Sequence, residues 1–510
     1  MSHAAPGHRE VANRGLLVVS VMLATLMQAL DTTIANVALP NMQGSLSATQ
    51  DQISWVLTSY IVAAAIATPA TGWLSSVMGR RRLLLIAIGG FTLASVLCGI
   101  ATDIGQMVAF RLLQGLFGAV LVPVSQSTLL DVFPREKHGA AMALWGMGVM
   151  VGPILGPPLG GWLTDAYSWH WVFLINVPIG ALGLFGVAAS LPTDDTRPSR
   201  FDWRGFGFLA VGIGALQLLL DRGELKDWFD STEIRIDAAL AFLGFYLYVV
   251  HWLTSPRPFV NLGLFKDRNF LASNIFIFAL GVVLFATMAL LPPYLQTLMH
   301  YPVVTTGILM APRGIGTLFA MMLVGRLMAR GADARVLAAI GMLLTAYSLW
   351  QMAHWGVDVP ATMIVEAGVV QGLGLGLVFV PISTIAYSTL PMAARTEAAG
   401  IFSLMRNIGA SVGISIVMTL LARGTQINHA ELVQHITPFD AGAAQLQAMG
   451  QMPTAASLAM LNAEVTRQAS AIAFLNDFWL MMVMTIVTIP LLLLLRPVKH
   501  IGAPALVAEH

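Results

Sequence analysis

The stretch QGLFGAVLVPVSQSTLLDVFP at residues 114–134 is echoed by QGLGLGLVFVPISTIAYSTLP at residues 371–391, at an offset of 257 or 258. A second stretch, GWLSSVMGRRR at residues 72–82, is echoed by GRLMARGADAR at residues 325–335, at an offset of 253. Two separate segments therefore repeat at nearly one spacing. This pattern predicts two matched halves, as in transporters that bind their substrate between the halves and expose it to each side in turn.

Composition places most of the chain in lipid. Only 10% of the 510 residues are charged and 57% are apolar, whereas a soluble domain carries about 25% charged residues. The net charge of +1, without a basic stripe, excludes a nucleic-acid partner. The single cysteine, Cys98, excludes disulfides within the chain and a cysteine-based metal cluster.

Fourteen segments are apolar enough to cross a bilayer core of about 30 Å, which takes about 20 residues. We therefore predict an all-α membrane protein in which helices 1–6 match helices 9–14, and helices 7 and 8 form an inserted pair. The predicted spans are 15–39, 52–75, 83–102, 106–130, 139–163, 171–191, 205–221, 236–254, 269–292, 304–327, 336–354, 361–387, 397–422 and 473–495.

The spans divide the chain into five parts. These are a tail (1–14), a six-helix bundle (15–191), a linker with the two extra helices (192–268), a second six-helix bundle (269–496) and a second tail (497–510). Within the second bundle, residues 423–472 are expected to form a long periplasmic loop. Helical spacing in AASLAMLNAEVTRQASA, residues 455–471, leaves two interpretations open, a plain linker and a docking surface for a partner protein.

Basic residues predict the orientation. Of the 27 Lys and Arg residues, 19 fall on the same side as the N-terminus and 5 on the other. Because basic residues in short loops remain in the cytoplasm, both termini are expected there. The chain has no phosphate-binding loop and no metal-ligand spacing of histidines. We therefore expect no cofactor and transport driven by an ion gradient.

Five stretches carry a resemblance to a known family. They are LDTTIANVALP (30–40), RLLQGLFG (111–118), GVMVGPILGPPLGG (148–161), WHWVFLINVPIG (169–180) and LQLLLDRGELKDWF (216–229). The sequence resembles the 14-helix EmrB/QacA-type drug:proton antiporters of the major facilitator superfamily, and the EmrB branch most closely, over essentially the whole chain.

The resemblance implies the major facilitator fold and a place in a bacterial inner membrane. It also implies proton-coupled efflux of small amphipathic, drug-like molecules by alternating access. A periplasmic adaptor (membrane fusion) protein and an outer-membrane channel are the implied partners. The loop between helices 2 and 3 resembles the superfamily's loop motif at Gly72, Gly79 and Arg80, with both glycines expected to form the turn. The family's acidic residue is Ser76 here, which removes one member of the usual charge relay.

Charged side chains deep in a span usually mark ion or substrate pathways. Five are predicted: Asp31, Arg111, Arg313, Glu366 and Arg406. Asp31 lies about 24 Å from the cytoplasmic end of helix 1 at about 1.5 Å per residue, and Arg111 lies at a similar depth in helix 4. A low dielectric favours a protonated carboxyl group, whereas a nearby guanidinium favours the ionised form.

We therefore hypothesise that Asp31 binds the transported proton, in exchange for a cationic or neutral substrate, inside a chamber shared by the two halves. Arg111 would set its proton affinity. The alternative is a permanent ion pair that only joins helices 1 and 4.

Other polar positions are expected to line the substrate cavity, and they are Gln28, Met27, Gln114, Arg406, Asn407 and Glu366. The first two share the face of Asp31, and Gln114 lies beneath Arg111. Ordinary helix packing is the alternative for Gln28 and Met27. Glu366 is a second acidic site, a partner of Arg313 or a solvated residue near the outer end of helix 12. Asn476 and Asp477 are expected to cap the start of helix 14.

Helix 5 carries a stripe of small residues. Gly148, Gly152, Gly156 and Gly160 recur every four residues, with Pro153 and Pro157 among them. Such a stripe allows the backbone of another helix to approach closely. We expect that helix to belong to the other half, with the stripe acting as a packing, sliding or sealing surface.

Two other functions are compatible with a membrane protein of this size, a dedicated exporter and a membrane-embedded enzyme. A dedicated exporter of a single metabolite, siderophore or antibiotic would share these features. A membrane-embedded enzyme would instead show clustered His and Asp motifs on the loops at one face, which this sequence lacks. We therefore predict a transporter and no enzymatic activity.

Overall fold

A computed structural model describes residues 13–134, 137–193, 196, 200–256, 258–435 and 455–496. Within those residues the chain forms helices and no strands, which confirms the predicted fold class. The long helices are α1 Arg14–Ser45, α2 Gln52–Met78, α3 Arg80–Gly99, α4 Ile104–Val132, α5 His138–Ala166, α6 His170–Ser190, α7 Trp203–Arg222, α8 Thr232–Thr254, α9 Arg268–Leu298, α10 Val303–Ala329, α11 Ala334–Met352, α12 Ala361–Ser388, α13 Arg395–Gln434 and α14 Ala455–Thr488. Most of both predicted tails lies outside the described residues.

Side-chain caps mark several helix starts. Asp103 accepts a hydrogen bond from the Gln106 amide at 2.9 Å, and Asp267 accepts one from the Phe270 amide at 2.8 Å. Such caps satisfy amide groups that the first helical turn leaves unpaired. Inside lipid the remaining backbone groups must pair within each helix, because no water is available there.

Thirteen of these helices are long and apolar enough to cross a membrane. The helix outside that group is α11, Ala334–Met352. It packs against α12 and α14, as α3 packs against α4 and α6 in the first half. The position of α11 in the bundle therefore matches the span predicted at residues 336–354.

The two halves share one packing pattern. In the first half α1 packs against α5 and α6, while α4 packs against α2 and α3. In the second half α9 packs against α13 and α14, while α12 packs against α10 and α11. Each contact recurs eight helices later, as the sequence repeat predicts.

The halves meet along two unequal seams. Along the first, α5 and α10 stay together over their length: a Cβ on Gly139 would lie 3.2 Å from Met328, and one on Gly307 would lie 3.7 Å from Pro158. Along the second, α13 contacts the last turns of α2, where a Cβ on Gly400 would lie 3.2 Å from the Thr68 carbonyl oxygen.

The inserted helix α7 lies beside the second seam and contacts both halves. Gln217 of α7 donates to the Ser411 hydroxyl of α13 at 2.8 Å. On the other side, the Thr58 hydroxyl of α2 donates to the Asp221 carboxylate of α7. Just beyond α7, the Trp228 indole donates to Thr419 of α13 at 3.0 Å. Helix α7 and the residues just after it are therefore joined to the first and second halves at once.

The polar loop predicted at residues 423–472 is shorter in the structure. Helix α13 continues to Gln434 and α14 begins at Ala455, so the helical spacing at residues 455–471 is confirmed. The extensions contact each other, because His429 and Asn462 are hydrogen bonded at 3.0 Å. Residues 436–454 lie outside the described part. The capping role expected for Asn476 and Asp477 is wrong, since both lie well inside α14.

Candidate functional site

Asp31 of α1 and Arg111 of α4 form a buried ion pair, the direct contact that their similar depths allowed. Arg111 Nη1 donates to Asp31 Oδ2 at 2.6 Å. Each residue is only 1% exposed. The guanidinium also donates from Nε to the Val56 carbonyl oxygen at 2.8 Å and lies 4.3 Å from the centre of the Tyr60 ring. Both charged side chains are thus shielded from bulk solvent.

Amide and hydroxyl groups complete the surroundings of the carboxylate. Gln114 donates to Asp31 Oδ1 at 2.8 Å and accepts from Arg111 Nη1 at 2.7 Å. Asn176 of α6 donates to Asp31 Oδ1 at 3.4 Å. Ser95 of α3 accepts from Gln114 and Asn176 at 2.7 and 3.2 Å. The ionised carboxylate is therefore well stabilised, because buried charges need both an ion partner and hydrogen bonds.

This polar cluster, Asp31, Arg111, Gln114, Ser95 and Asn176, belongs entirely to the first half. The predicted chamber shared by both halves is therefore wrong for Asp31. The sequence reveals the depth of a residue along its helix but not which neighbouring helices enclose it. A proton on Asp31 would remove the negative charge that balances Arg111. Because the cluster lies in the first half, this change of charge could influence the second half only through the packing of helices.

The two neighbours of Asp31 on α1 have different surroundings. Met27 has no exposed surface and lies in the main hydrophobic core, so the expectation that it lines a cavity is wrong. Gln28 is half-buried and lies beside the Tyr60 hydroxyl.

The glycine stripe of α5 packs against α1, so the expected partner in the other half is wrong. A Cβ on Gly152 would lie 2.7 Å from Ala29 Cβ, and one on Gly160 would lie 2.9 Å from the Ile34 carbonyl oxygen. Thr33 also donates to the Gly152 carbonyl oxygen at 3.2 Å. Gly148 lies against Met22 of α1, and Gly156 lies against Thr33 of α1. Pro157 is exposed, and the side chain of Pro153 lies outside the described part.

The polar residues predicted in the second half are dispersed. Arg406 and Asn407 of α13 are half-buried, with 3.4 Å between Arg406 Nη2 and Asn407 Oδ1. Glu366 of α12 is exposed and lies 3.4 Å from Gln351 of α11. Glu366 is therefore no cavity residue, and no ion pair joins it to Arg313 among the residues that the structure describes.

Ion pairs join the two halves at the end of the bundle that carries the loop motif, and we call this group the charged gate. Asp131, the penultimate residue of α4, forms an ion pair with Arg80 of α3 and another with Arg395 of α13 at 3.0 Å. Arg80 Nε also donates to Thr396 at 3.2 Å. Since α13 belongs to the second half, these bonds join the halves. Sequence reasoning missed Asp131 and Arg395, because charged residues at span ends are too common to stand out.

The two loop-motif glycines have different roles. Gly79 has a φ of 77°, a left-handed conformation that favours glycine, and it forms the turn as expected. Gly72 lies inside α2, so its predicted turn is wrong. A Cβ there would lie 2.9 Å from Glu397 Cα of α13, so a larger residue would push the two halves apart.

We expect Asp131→Asn to open this gate. Losing one partner of a buried, hydrogen-bonded ion pair costs about 2 kcal/mol or more, and about 1.4 kcal/mol shifts an equilibrium tenfold. With Cys98 replaced by Ser, maleimide labelling of a cysteine at the buried position Ser127 should therefore rise by about thirtyfold or more. Asp165→Asn, which alters an exposed carboxylate, serves as control. Equal labelling in the two variants would show that the ion pairs do not hold the gate closed.

Comparison with known proteins agrees with this architecture. Residues 21–414 match the Major Facilitator Superfamily. The chain is 36% identical over 492 residues to the fatty acid resistance protein FarB of Neisseria gonorrhoeae, spanning 95% of this chain and 97% of that protein. It is 35% identical over 480 residues to the multidrug export protein EmrB of Escherichia coli, spanning 92% and 93%.

A solved structure shows the same fold. The crystal structure of the human organic anion transporter MFSD10 aligns with a TM-score of 0.61 over 94% of this chain and 99% of that chain, at 14% identity. The chain therefore belongs to the major facilitator superfamily, in the branch of the EmrB-type export proteins. It is a multi-pass membrane transporter and not an enzyme.

Proposed function

We propose that the protein is a proton-coupled multidrug efflux antiporter of the bacterial inner membrane, working by alternating access with both termini in the cytoplasm. The observation that carries the proposal is the buried Asp31–Arg111 pair with its ring of hydrogen-bond donors. Acidic residues inside a span mark ion pathways and proton relays, and a movement of Arg111 away from Asp31 would favour proton uptake by the carboxylate. The names of FarB and EmrB support the export of toxic compounds.

The coupling runs through α1. One face of this helix holds Asp31. Two residues before it, Ala29 contacts Gly152 of α5, and two residues after it, Thr33 contacts Gly156 of α5. Another face of α5 packs against α10 of the second half, where Ile154 meets Gly314. Protonating Asp31 would weaken its bonds to α4 and let α1 shift. Since α1 and α5 are in backbone contact, that shift would move the seam between the halves.

The proposal includes partners. Like the EmrB branch that it resembles, the protein would deliver its substrates to a periplasmic adaptor protein and an outer-membrane channel. Co-purification with a periplasmic adaptor protein from the same organism would test this directly.

Proteoliposomes provide the main test. Purified protein is reconstituted, the vesicles are loaded with a fluorescent dye, and a pH gradient is imposed. We expect dye efflux that needs the gradient and is accompanied by proton movement in the opposite direction. Equal efflux with and without the gradient would contradict proton coupling.

A dedicated exporter is the second candidate, and the name of FarB favours it. The two candidates differ in substrate range. Efflux of several chemically unrelated compounds from the same vesicles supports the multidrug exporter, whereas efflux of one compound class alone supports the dedicated one.

A further inference from the structure

Arg313 of α10 is a buried cation without a counterion among the residues that the structure describes. It is 7% exposed and lies about 15 Å from the start of α10 at about 1.5 Å per residue. Among the described residues its Nη1 has no hydrogen-bond partner, and Nη2 reaches only the Leu284 carbonyl oxygen of α9, at 3.4 Å. An unpaired charge inside a span is costly, so an anion at this position would be stabilising.

A second unsatisfied polar group lies in the same region, where α9, α10 and α12 meet. Gln371 of α12 is fully buried; its Nε2 lies 3.4 Å from Thr287 of α9, and its Oε1 has no partner in the described residues. The neighbouring Gly372 approaches the Arg313 backbone so closely that a Cβ would lie 2.9 Å from its carbonyl carbon. Because an amide can present either its oxygen or its nitrogen, Gln371 can also donate to an anion.

The sequence repeat shows what is missing. At an offset of 257, Gln371 corresponds to Gln114, which binds Asp31 in the first half. The offsets of 253 and 257 place Leu284 and Met288, both apolar, where the first half has Asp31. The second half therefore keeps the amide, has its guanidinium on α10 instead of α12, and has no carboxylate at the position of Asp31. Asp477, another buried acid of this half, forms no ion pair with Arg313 within the described part of the chain.

We propose that Arg313 and Gln371 bind the carboxylate of an amphipathic acid carried as substrate, so that the cargo supplies the group that Asp31 supplies in the first half. The proposal rests on the efflux function proposed above and adds a substrate class to it. The site adjoins the seam between the halves, because Gly314, the next residue, contacts Ile154 of α5. Guanidinium groups suit carboxylates, since they donate two parallel hydrogen bonds.

The test compares an acid with its neutral ester. Purified protein in uncharged detergent and chloride-free buffer is titrated with 11-(dansylamino)undecanoic acid and with its methyl ester. We expect Arg313→Gln to weaken binding of the acid by about tenfold, the effect of losing a charge-assisted hydrogen bond, and to leave binding of the ester unchanged. Arg313→Lys, which keeps the charge without the planar geometry, should lie between. Arg326→Gln, which removes an exposed arginine of the same helix, should match the wild type.

Three results would overturn the inference. In the first, Arg313→Gln binds the acid as tightly as the wild type does. In the second, Arg313→Gln loses affinity equally for the acid and the ester. In the third, wild type and Arg313→Gln bind the acid equally in chloride-free buffer, but added chloride displaces the acid from the wild type alone. The last result would make inorganic chloride the occupant. Size-exclusion elution shows whether Arg313→Gln is folded, and Arg313→Lys carries the test if it is not. Gradient-driven efflux of a neutral dye by the wild type tests the proposed function separately.

Discussion

Asp31→Asn is expected to abolish proton-driven efflux while the protein still reaches the membrane. The amide is nearly the same size and its oxygen can still accept from Arg111, but it neither carries a charge nor binds a proton at neutral pH. Arg111 keeps its bonds to Val56 and Gln114, although loss of its counterion costs stability by about 3 to 5 kcal/mol. Dye efflux and proton movement in proteoliposomes, together with a thermal melt, measure both effects.

The matched control is Asp165→Asn, which removes an exposed carboxylate from the same half. We expect Asp165→Asn to transport like the wild type. Full gradient-driven efflux by Asp31→Asn would refute the assigned role and leave the pair as a structural link between α1 and α4.

Gly152→Leu is expected to stop the transport cycle. A Cβ at this position already falls 2.7 Å from Ala29 Cβ and from the Ala29 carbonyl oxygen, and backbone cannot move aside as a flexible side chain can. A leucine would force α1 and α5 apart and break the contact that links Asp31 to the seam between the halves. Efflux should fall to background for every substrate, or the vesicles should leak protons, without a change in substrate preference.

The control for this prediction is Gly89→Ala on α3, where the added methyl group would meet only Leu184, at 3.9 Å. That variant should remain active. A Gly152→Leu protein that exports some substrates normally and loses others would place the stripe in substrate selection instead of helix movement.

Much of the fold followed from the sequence, because hydrophobic length and an internal repeat are strong signals in membrane proteins. The contact between Asp31 and Arg111 was also predictable, since their depths could be counted along two helices. The helix facing the glycine stripe was not predictable: a stripe defines a face of α5, but nothing in its spacing tells whether α1 or a helix of the other half covers it.

The errors at the site have the same origin. Met27 shares a face with Asp31, yet it lies in the core, because one helical face can border both a polar cluster and packed side chains. Asp477 was assigned to a helix end because the apolar span begins beside it, whereas α14 begins at Ala455. Charged gate residues such as Asp131 could be recognised only once the two halves were placed together.

The inserted helix α7 has a mechanical consequence. Its bonds to α2 on one side and α13 on the other cross the flank where these two helices would separate. In the proposed alternating access, separation of α2 from α13 would stretch or break one set of these bonds, so this flank would resist opening. A substrate that entered from the bilayer on this side would have to break these bonds first.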